Sequence, residues 1–406
     1  MSKILVVSTY PIKNAQHGGQ KRLAAIIEKY KESGNTVVNS AVYMNDFYQD
    51  ADPDDIAVNW DNYVNRELAG YTSDLLLAEA LAEDLDVKNK FKDALRKFKP
   101  DFIHIEQPFL FKAIYDILAK ESWWAGALIY GSQNIEYELK EYILENTPDP
   151  IDPKVIKHAT DNVKELEIFA IKNADWSLAC TESDAQTIKK HGAKNVYLAQ
   201  NGIDKTEISG DVSDTYRKKY LTNGVEKIAL FVGSGHPPNL SGYVKMIGFG
   251  IGFIPPEARI VVVGGVSDMI NNHLNNVPNY IRAVYDKRVQ LLGRVSEENL
   301  TGLLSIADII LLPITEGGGS NLKTAEAIIA DKKIVGTETA FRSFEQFIDL
   351  PNVYVANNAK DFKESIVKAF DTTRKDRSQK EILISESALW KNTLITATEA
   401  IDTYEK

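Results

Sequence analysis

The chain has 406 residues, 44% of them hydrophobic and 26% charged, which is material for two or three soluble domains with sizeable cores. Its formal charge of −10 argues against a protein that wraps nucleic acid, which would present a basic face, and no nucleic-acid partner is expected. One cysteine, Cys180 in the apolar run WSLAC, excludes an internal disulfide framework and a cysteine-rich zinc site, and reads as a buried structural thiol.

The opening MSKILVVSTYP carries only about four apolar residues before polar ones intervene, short of the ~7–15 of a signal peptide. No stretch approaches the ~20 apolar residues of a membrane span. A cytoplasmic location is expected, with peripheral contact to a membrane left open.

Residues 4–8 form a β-branched run that ends in Tyr10-Pro11. Residues 22–33 have helical spacing in Leu23, Ile26, Ile27 and Tyr30, and Gly34 stops them as a glycine just past a helix end would. A second strand is predicted over 36–42 and a long helical region over 75–98, closed by Pro100. Short strands follow over 102–105, 127–130, 176–180 and 196–199. The stretch 205–226 is polar, contains Gly210 and Gly224, and reads as a linker. The rhythm then restarts, with strands over 228–232, 259–263, 289–292, 309–312, 332–337 and 353–355, and helices over 296–306 and 322–330. Short strands alternating with helices imply parallel sheets with crossover helices, and two such arrays in series imply two doubly wound α/β domains. The predicted domains are 1–204 and 205–380, followed by a helical tail over 381–406 with Trp390 as a large apolar anchor.

In open α/β sheets, ligands bind at the carboxyl ends of the strands. The first such junction leads through His17-Gly18-Gly19-Gln20 into a helix. Paired glycines let the backbone approach a ligand, and a helix start favours anions; His17 by itself reads as a solvated loop residue. Strands 102–105 and 127–130 lead into Glu106-Gln107-Pro108 and into Gly131-Ser132-Gln133-Asn134-Ile135-Glu136. Glu106 is a candidate base or hydrogen-bond acceptor for a substrate hydroxyl. His104 is assigned to the opposite face of its strand and to packing.

The strongest junction follows strand 309–312 and Pro313, through Glu316-Gly317-Gly318-Gly319-Ser320-Asn321-Leu322-Lys323, into a helix carrying Glu326. Three glycines expose successive backbone N–H donors, and the helix start adds about half a positive charge. Lys323 supplies a full charge in the first turn. Together they make a diphosphate cradle, and Glu326, about one turn on, can accept two vicinal ribose hydroxyls. A P-loop is not matched, because Leu322 stands where the glycine before the lysine must be. The GxGxxG fingerprint of a dinucleotide enzyme is missing from the first strand–helix turn. Asp52-Pro53-Asp54 and Asp84-Leu85-Asp86 match a DxD pattern by spacing alone, and the six histidines show no HxxxH, so no metal is expected.

These residues resemble the retaining glycosyltransferases of the GT-B fold, in the large family 4 group. The resemblance runs through KILVVSTYP, GGQKRLAAI, PDFIHIEQP, SQNIEYE, NADWSLACTESDAQTIKKHGAKNVYLAQNGID, ALFVGSGHPPN, ARIVVVGG, VQLLGRVSEENLTGLLSIADIILLP and GGGSNLKTAEAI. It implies two facing Rossmann-like domains, a sugar donor in the cleft, and an acceptor mostly on the first domain. Glu326 matches the second glutamate of the family's E-x7-E motif, which contacts the donor ribose. Gly317, Gly318, Gly319, Ser320, Asn321, Leu322 and Lys323 would lie near the donor phosphates and sugar, with Arg294 assisting. Gly18 and Gly19 match the glycines facing the donor across the cleft. The last helix would cross back to the first domain, with Trp390 as its anchor.

Three departures stand out. The family's first glutamate falls on Gly318, and Glu316 is the nearest acid. Gln133 stands where relatives often carry a histidine, and it cannot carry a proton. Ser234-Gly235-His236-Pro237-Pro238-Asn239 replaces a phosphate-binding Arg and Lys pair.

The resemblance implies transfer of a sugar from a nucleotide diphosphate to a hydroxyl of a glycan, lipid-linked or protein acceptor, with retention and without a metal or other cofactor. Glu106, Gln133 and Glu316 are the candidate catalytic residues. Synthesis of cell-surface or secondary glycans is the expected setting. The alternative is a catalytically weak or inactive nucleotide-sugar-binding protein acting as a partner or scaffold.

Overall fold

A computed structural model of the chain describes residues 1–404 except 16, 49, 148, 206–209 and 317–320. It divides into two compact units, Met1–Asn201 with Thr393–Lys406, and Gly202–Asn392.

The first unit is built on seven strands: β1 (Lys3–Ser8), β2 (Thr36–Met44), β3 (Ile56–Val58), β4 (Phe102–Glu106), β5 (Ala127–Gly131), β6 (Trp176–Ala179) and β7 (Val196–Leu198). They lie in the order β3-β2-β1-β4-β5-β6-β7, every pair parallel. Their apolar runs are buried on both faces, as parallel strands covered by helices must be: Ile4 to Val7 and Phe102 to Ile105 are all at most 3% exposed. The helix Gly18–Glu32 returns from β1 to β2 and buries Leu23, Ile26, Ile27 and Tyr30. Gly34 sits at φ +83°, the left-handed residue that ends it. The order of connection reverses beside β1, so the switch point lies between β1 and β4.

The second unit repeats the plan with β8 (Lys227–Val232), β9 (Ala258–Val263), β10 (Val289–Leu291), β11 (Ile309–Leu312), β12 (Lys333–Gly336) and β13 (Val353–Val355). The order is β10-β9-β8-β11-β12-β13, again all parallel. Its switch point lies between β8 and β11. No described helix is long and apolar enough to cross a membrane.

Three expectations need correction. The helical region 75–98 is two helices, Ser73–Glu83 and Leu85–Phe98. Asp84 ends the first in an extended conformation and caps the second, its side chain accepting from the N–H groups of Asp86 and Val87. The polar stretch 205–226 contains a helix, Gly210–Tyr220, which buries one residue, Tyr216, whose hydroxyl donates to Asn299 at 2.6 Å. The tail is three short helices, Gln379–Glu386, Trp390–Thr393 and Ile395–Asp402. Trp390 belongs to the second unit, where its N–H donates to the Ile203 carbonyl at 3.1 Å. The residues that seat the tail on the first unit are Ala397, Ala400 and Ile401, with Tyr404 packed against Phe102 and Trp176.

Candidate functional site

Each sheet has a crest of loops at the carboxyl ends of its strands, where a doubly wound fold binds ligands. In the second unit this crest is paved with glycine. Gly264, at φ +97°, lies so close to Gly233 that a Cβ would strike the Gly233 carbonyl. A Cβ on Gly242 would strike the Pro313 carbonyl. The loops after β8, β9 and β11 therefore pack by backbone, and larger side chains are excluded.

Lys323 stands in the first turn of the helix Leu322–Ile329. Its Nζ donates to Asn239 Oδ1 at 2.9 Å, and Asn239 Nδ2 donates to the carbonyl and hydroxyl oxygens of Ser234 at 3.0 and 3.1 Å. One lysine thus ties the loops on the two sides of the β8/β11 switch point. Burial lowers its pKa, and the charge of Glu326 one turn further on opposes that. Glu326 and Leu322 are half-buried. Asn321 precedes the helix, its Nδ2 donating to the Ala340 carbonyl at 3.4 Å. Arg294 is exposed beyond β10 at the sheet edge and shares no hydrogen bond with the Lys323 group among the described residues. Glu316 is exposed. Gly317, Gly318, Gly319 and Ser320 lie outside the described residues.

The crest of the first unit is built from side chains. Glu106 is fully buried, with Oε2 2.8 Å from His104 Nε2 and Oε1 accepting from Gln133 Nε2 at 2.9 Å. Arg22 Nε lies 3.6 Å from Oε1, and Arg22 Nη1 donates to the Ala199 carbonyl at 2.7 Å. His104 does not point away from Glu106: residues two apart on a strand share a face, so the assignment to opposite faces fails on the geometry of the strand itself. Its other nitrogen, Nδ1, is 2.9 Å from the Tyr30 hydroxyl. Burial raises the pKa of Glu106, but hydrogen bonding and charge from His104, with Arg22 and Gln133, outweigh it and hold the carboxyl below its ordinary value. Glu106 was expected to meet a substrate hydroxyl; both its oxygens are engaged within the protein.

Gln133 also donates to the Tyr10 hydroxyl, so its amide nitrogen is spent on protein and its Oε1 faces Gly19. A Cβ on Gly19 would sit 2.7 Å from that oxygen and 3.2 Å from the Tyr10 hydroxyl. A side chain at this position would push the Gln133 amide and the Tyr10 hydroxyl aside. Gly18, the first residue of the helix, is exposed. Sequence reading missed Arg22 and Tyr10. Arg22 is a charged residue within an otherwise apolar helix stripe, which was a usable signal of a buried partner.

Next to this network, Gln107 takes a left-handed backbone (φ +63°) and bridges the tops of β1 and β5: its Oε1 accepts from Thr9 at 2.9 Å and its Nε2 donates to Glu136 at 3.4 Å. Glu136 is buried, and burial followed by the charge of Glu167 pushes its pKa to about 8. Glu167, also buried, accepts from the Tyr130 hydroxyl at 2.8 Å and from the N–H groups of Glu136 and Tyr137 at 3.1 Å; burial raises it to about 7.

No protein-family model matches the chain, and no curated protein matches it. Solved structures do. Sucrose-phosphate synthase from Thermosynechococcus elongatus aligns over 99% of this chain and 98% of its own, with a TM-score of 0.67 and 13% identity. HepE from Anabaena, in complex with UDP, aligns over 99% and 100%, with a TM-score of 0.64 and 13% identity. A glycosyltransferase from Rickettsia africae aligns over 98% and 97%, with a TM-score of 0.60 and 14% identity. Two Rossmann-like units matched end to end with these proteins define the GT-B fold for this chain.

Proposed function

We propose that the chain is a nucleotide-sugar-dependent glycosyltransferase. The bond between the anomeric carbon and the diphosphate oxygen breaks, a bond to an acceptor hydroxyl oxygen forms with retention, and the acceptor proton leaves on the nucleoside diphosphate. The observation that carries this reading is Lys323, half-buried in the first helical turn at the β8/β11 switch point and tied to Asn239 across it. A helix start and a lysine at that place are chemistry for a diphosphate. The HepE structures, one with UDP and one with UDP-glucose, support the same class of donor. Glu326 takes the ribose hydroxyls, and the residues around Asn321 and Leu322 line the phosphates.

In this reading the first crest presents the acceptor side. Gln133, held by Glu106 and Tyr10, offers its Oε1 as a fixed acceptor beside Gly19. Glu316 takes the part of the family's first glutamate. The leaving diphosphate is neutralised by Lys323 and backbone N–H groups, without a metal or other cofactor. A cytoplasmic setting and an acceptor destined for cell-surface or secondary glycans complete the reading.

One observation favours a second reading, a nucleotide-sugar-binding partner without turnover: neither Gln133 nor the fully engaged Glu106 offers a proton acceptor at the first crest. A thermal-shift panel of UDP, GDP, ADP and TDP sugars tests the shared part. Ligand at 100 times its Kd adds about 2.7 kcal/mol to stability, and no shift with any donor would sink both readings. Donor turnover separates them. With a confirmed donor, Glu326→Ala must lower turnover; unchanged activity overturns the assignment of that residue and of the site.

A further inference from the structure

At the opposite edge of the second sheet, where its strands begin, lies a cavity of about 600 Å³. Its size falls within the ~300–1,000 Å³ of small-molecule sites. Five cationic side chains line it: Arg217, Lys227, Lys332, Lys333 and Arg374. In a chain of net charge −10 this is a local reversal of sign. Three carboxylates share the lining: Asp308, which accepts from the Ile228 N–H at 2.8 Å, Asp371, and Asp331, which pairs with Arg374. Arg374 also meets Asp376 at 2.7 Å, so the unbalanced charge comes from Arg217 and the lysines.

Lys227 opens β8, Lys332 and Lys333 lead into β12, and all three are held by carbonyls at helix ends. Lys227 Nζ donates to Phe370 at 3.0 Å, Lys333 Nζ to Thr372 at 2.8 Å, and Lys332 Nζ to Ser305 at 2.7 Å. An ammonium has three donors, so Lys227 and Lys332 keep hydrogen-bonding capacity beyond these bonds. Burial lowers the pKa of Lys332, and Arg217 and Arg374 lower it further against the opposing charge of Asp308. Positive groups held this close repel one another, and a bound anion relieves the repulsion.

We propose that this basal cavity binds a small phosphate ester, at a site separate from the crest that holds Lys323. The two lie at opposite ends of the same parallel strands, so the cavity reports on a second ligand and not on the sugar donor. The test is calorimetric titration with sodium pyrophosphate of the wild-type chain, of Lys323→Ala, and of the double variant Arg217→Glu with Lys332→Gln. Lys323→Ala is expected to keep the basal binding event while weakening the one at the crest, and the double variant to keep the crest event while binding at the basal cavity about tenfold or more weakly. Its unfolding midpoint without ligand is measured alongside; if the double variant does not fold, Arg217→Gln alone, at an exposed position, must still weaken binding. No heat with wild type overturns the proposal. So does binding that is lost with Lys323→Ala and untouched by the Arg217 change, which would assign the anion to the crest and leave the lysines as helix caps only.

Discussion

The two crests occupy equivalent positions in equivalent sheets, yet they are made of different material. The first is a wall of side chains, in which Arg22, Glu106, His104, Gln133 and Tyr10 meet in a buried network, with Arg22 Nε and Nη2 left without a hydrogen-bond partner among the described residues. The second is backbone pressed against backbone at glycines, with Lys323 as its charged member tied to Asn239. A buried network fixes shape and is sensitive to the loss of any partner. The glycine-paved crest brings backbone close together and holds Lys323 at the switch point. The contrast predicts that mutations in the first crest act on stability, and mutations in the second act on binding.

The largest effect should come from breaking the network on one side. Glu106→Leu leaves Arg22 buried without its carboxylate, and the first unit should lose about 3–5 kcal/mol in chemical denaturation. Replacing both partners, Glu106→Leu with Arg22→Met, should cost markedly less, because no buried charge is stranded. If the double variant is as damaged as the single one, the charge pair is not what holds this crest together. On the second crest, Lys323→Ala should weaken binding of a nucleotide diphosphate by about 1.5–3 kcal/mol, the range for a hydrogen bond to a charged group. Its unfolding free energy should move far less. Equal affinity in wild type and variant would remove Lys323 from the donor site.

The same contrast explains what could be read in advance. Strands such as Ile309–Leu312 and Val353–Val355 announce themselves as apolar runs between turn residues, and their boundaries were read to the residue. Lys323 in the first turn of its helix was also legible, because that placement is local in sequence, whereas the close-packed Gly233, Gly242 and Gly264 were not singled out. Of the first crest only the strand-top residues Glu106 and Gln133 were legible; its network joins residues 22, 104, 106 and 133 from a helix, one strand and a loop, and the meeting with Arg22 has no local spacing to announce it. The helix Gly210–Tyr220 was missed for a related reason: with one buried residue its apolar stripe is too thin to see. Asp84 was read only as part of a DxD spacing and not as a cap, because a single cap inside an apolar-periodic stretch stays hidden until the backbone is seen to turn there.

A third prediction concerns acid and base. Glu136 and Glu167 both have pKa values raised in the folded state, to about 8 and about 7, burial being the main cause. A carboxyl with a raised folded pKa keeps its proton where the unfolded chain has lost it. Its contribution is complete below the unfolded value near 4.5 and is lost as pH rises through the folded one. The first unit should therefore lose stability as pH rises from about 4.5 to about 8. A tenfold difference in proton affinity between the two states is worth about 1.4 kcal/mol, and the loss should be at least that. Glu136→Gln should flatten the slope. An unchanged slope in urea melts of that variant would place the titration elsewhere.

The smallest effect separates structure from function at the entrance to the first crest. His17, expected as a solvated loop residue, caps the helix Gly18–Glu32: its Nδ1 accepts from the Gln20 N–H, and Gln20 Oε1 accepts from the His17 N–H, both at 3.3 Å. Only the neutral ring can accept at Nδ1. Burial lowers its pKa in the folded chain, so the cap is present above the unfolded value near 6.5 and is lost as pH falls through the folded one. His17→Ala should cost about 1 kcal/mol at pH 8, with the cost shrinking toward zero near pH 5, while His17→Asn keeps the cap at both. A loss that is the same at both pH values would mean that the ring stabilises the helix by packing against Tyr10, 5.1 Å away, and not by accepting a proton-dependent hydrogen bond. Because the cap sets where Gly18 and Gly19 begin the helix, a variant that loses it should also loosen the close approach of Gly19 to Gln133, which ties the weakest stabilising contact of this crest to its most restrictive one.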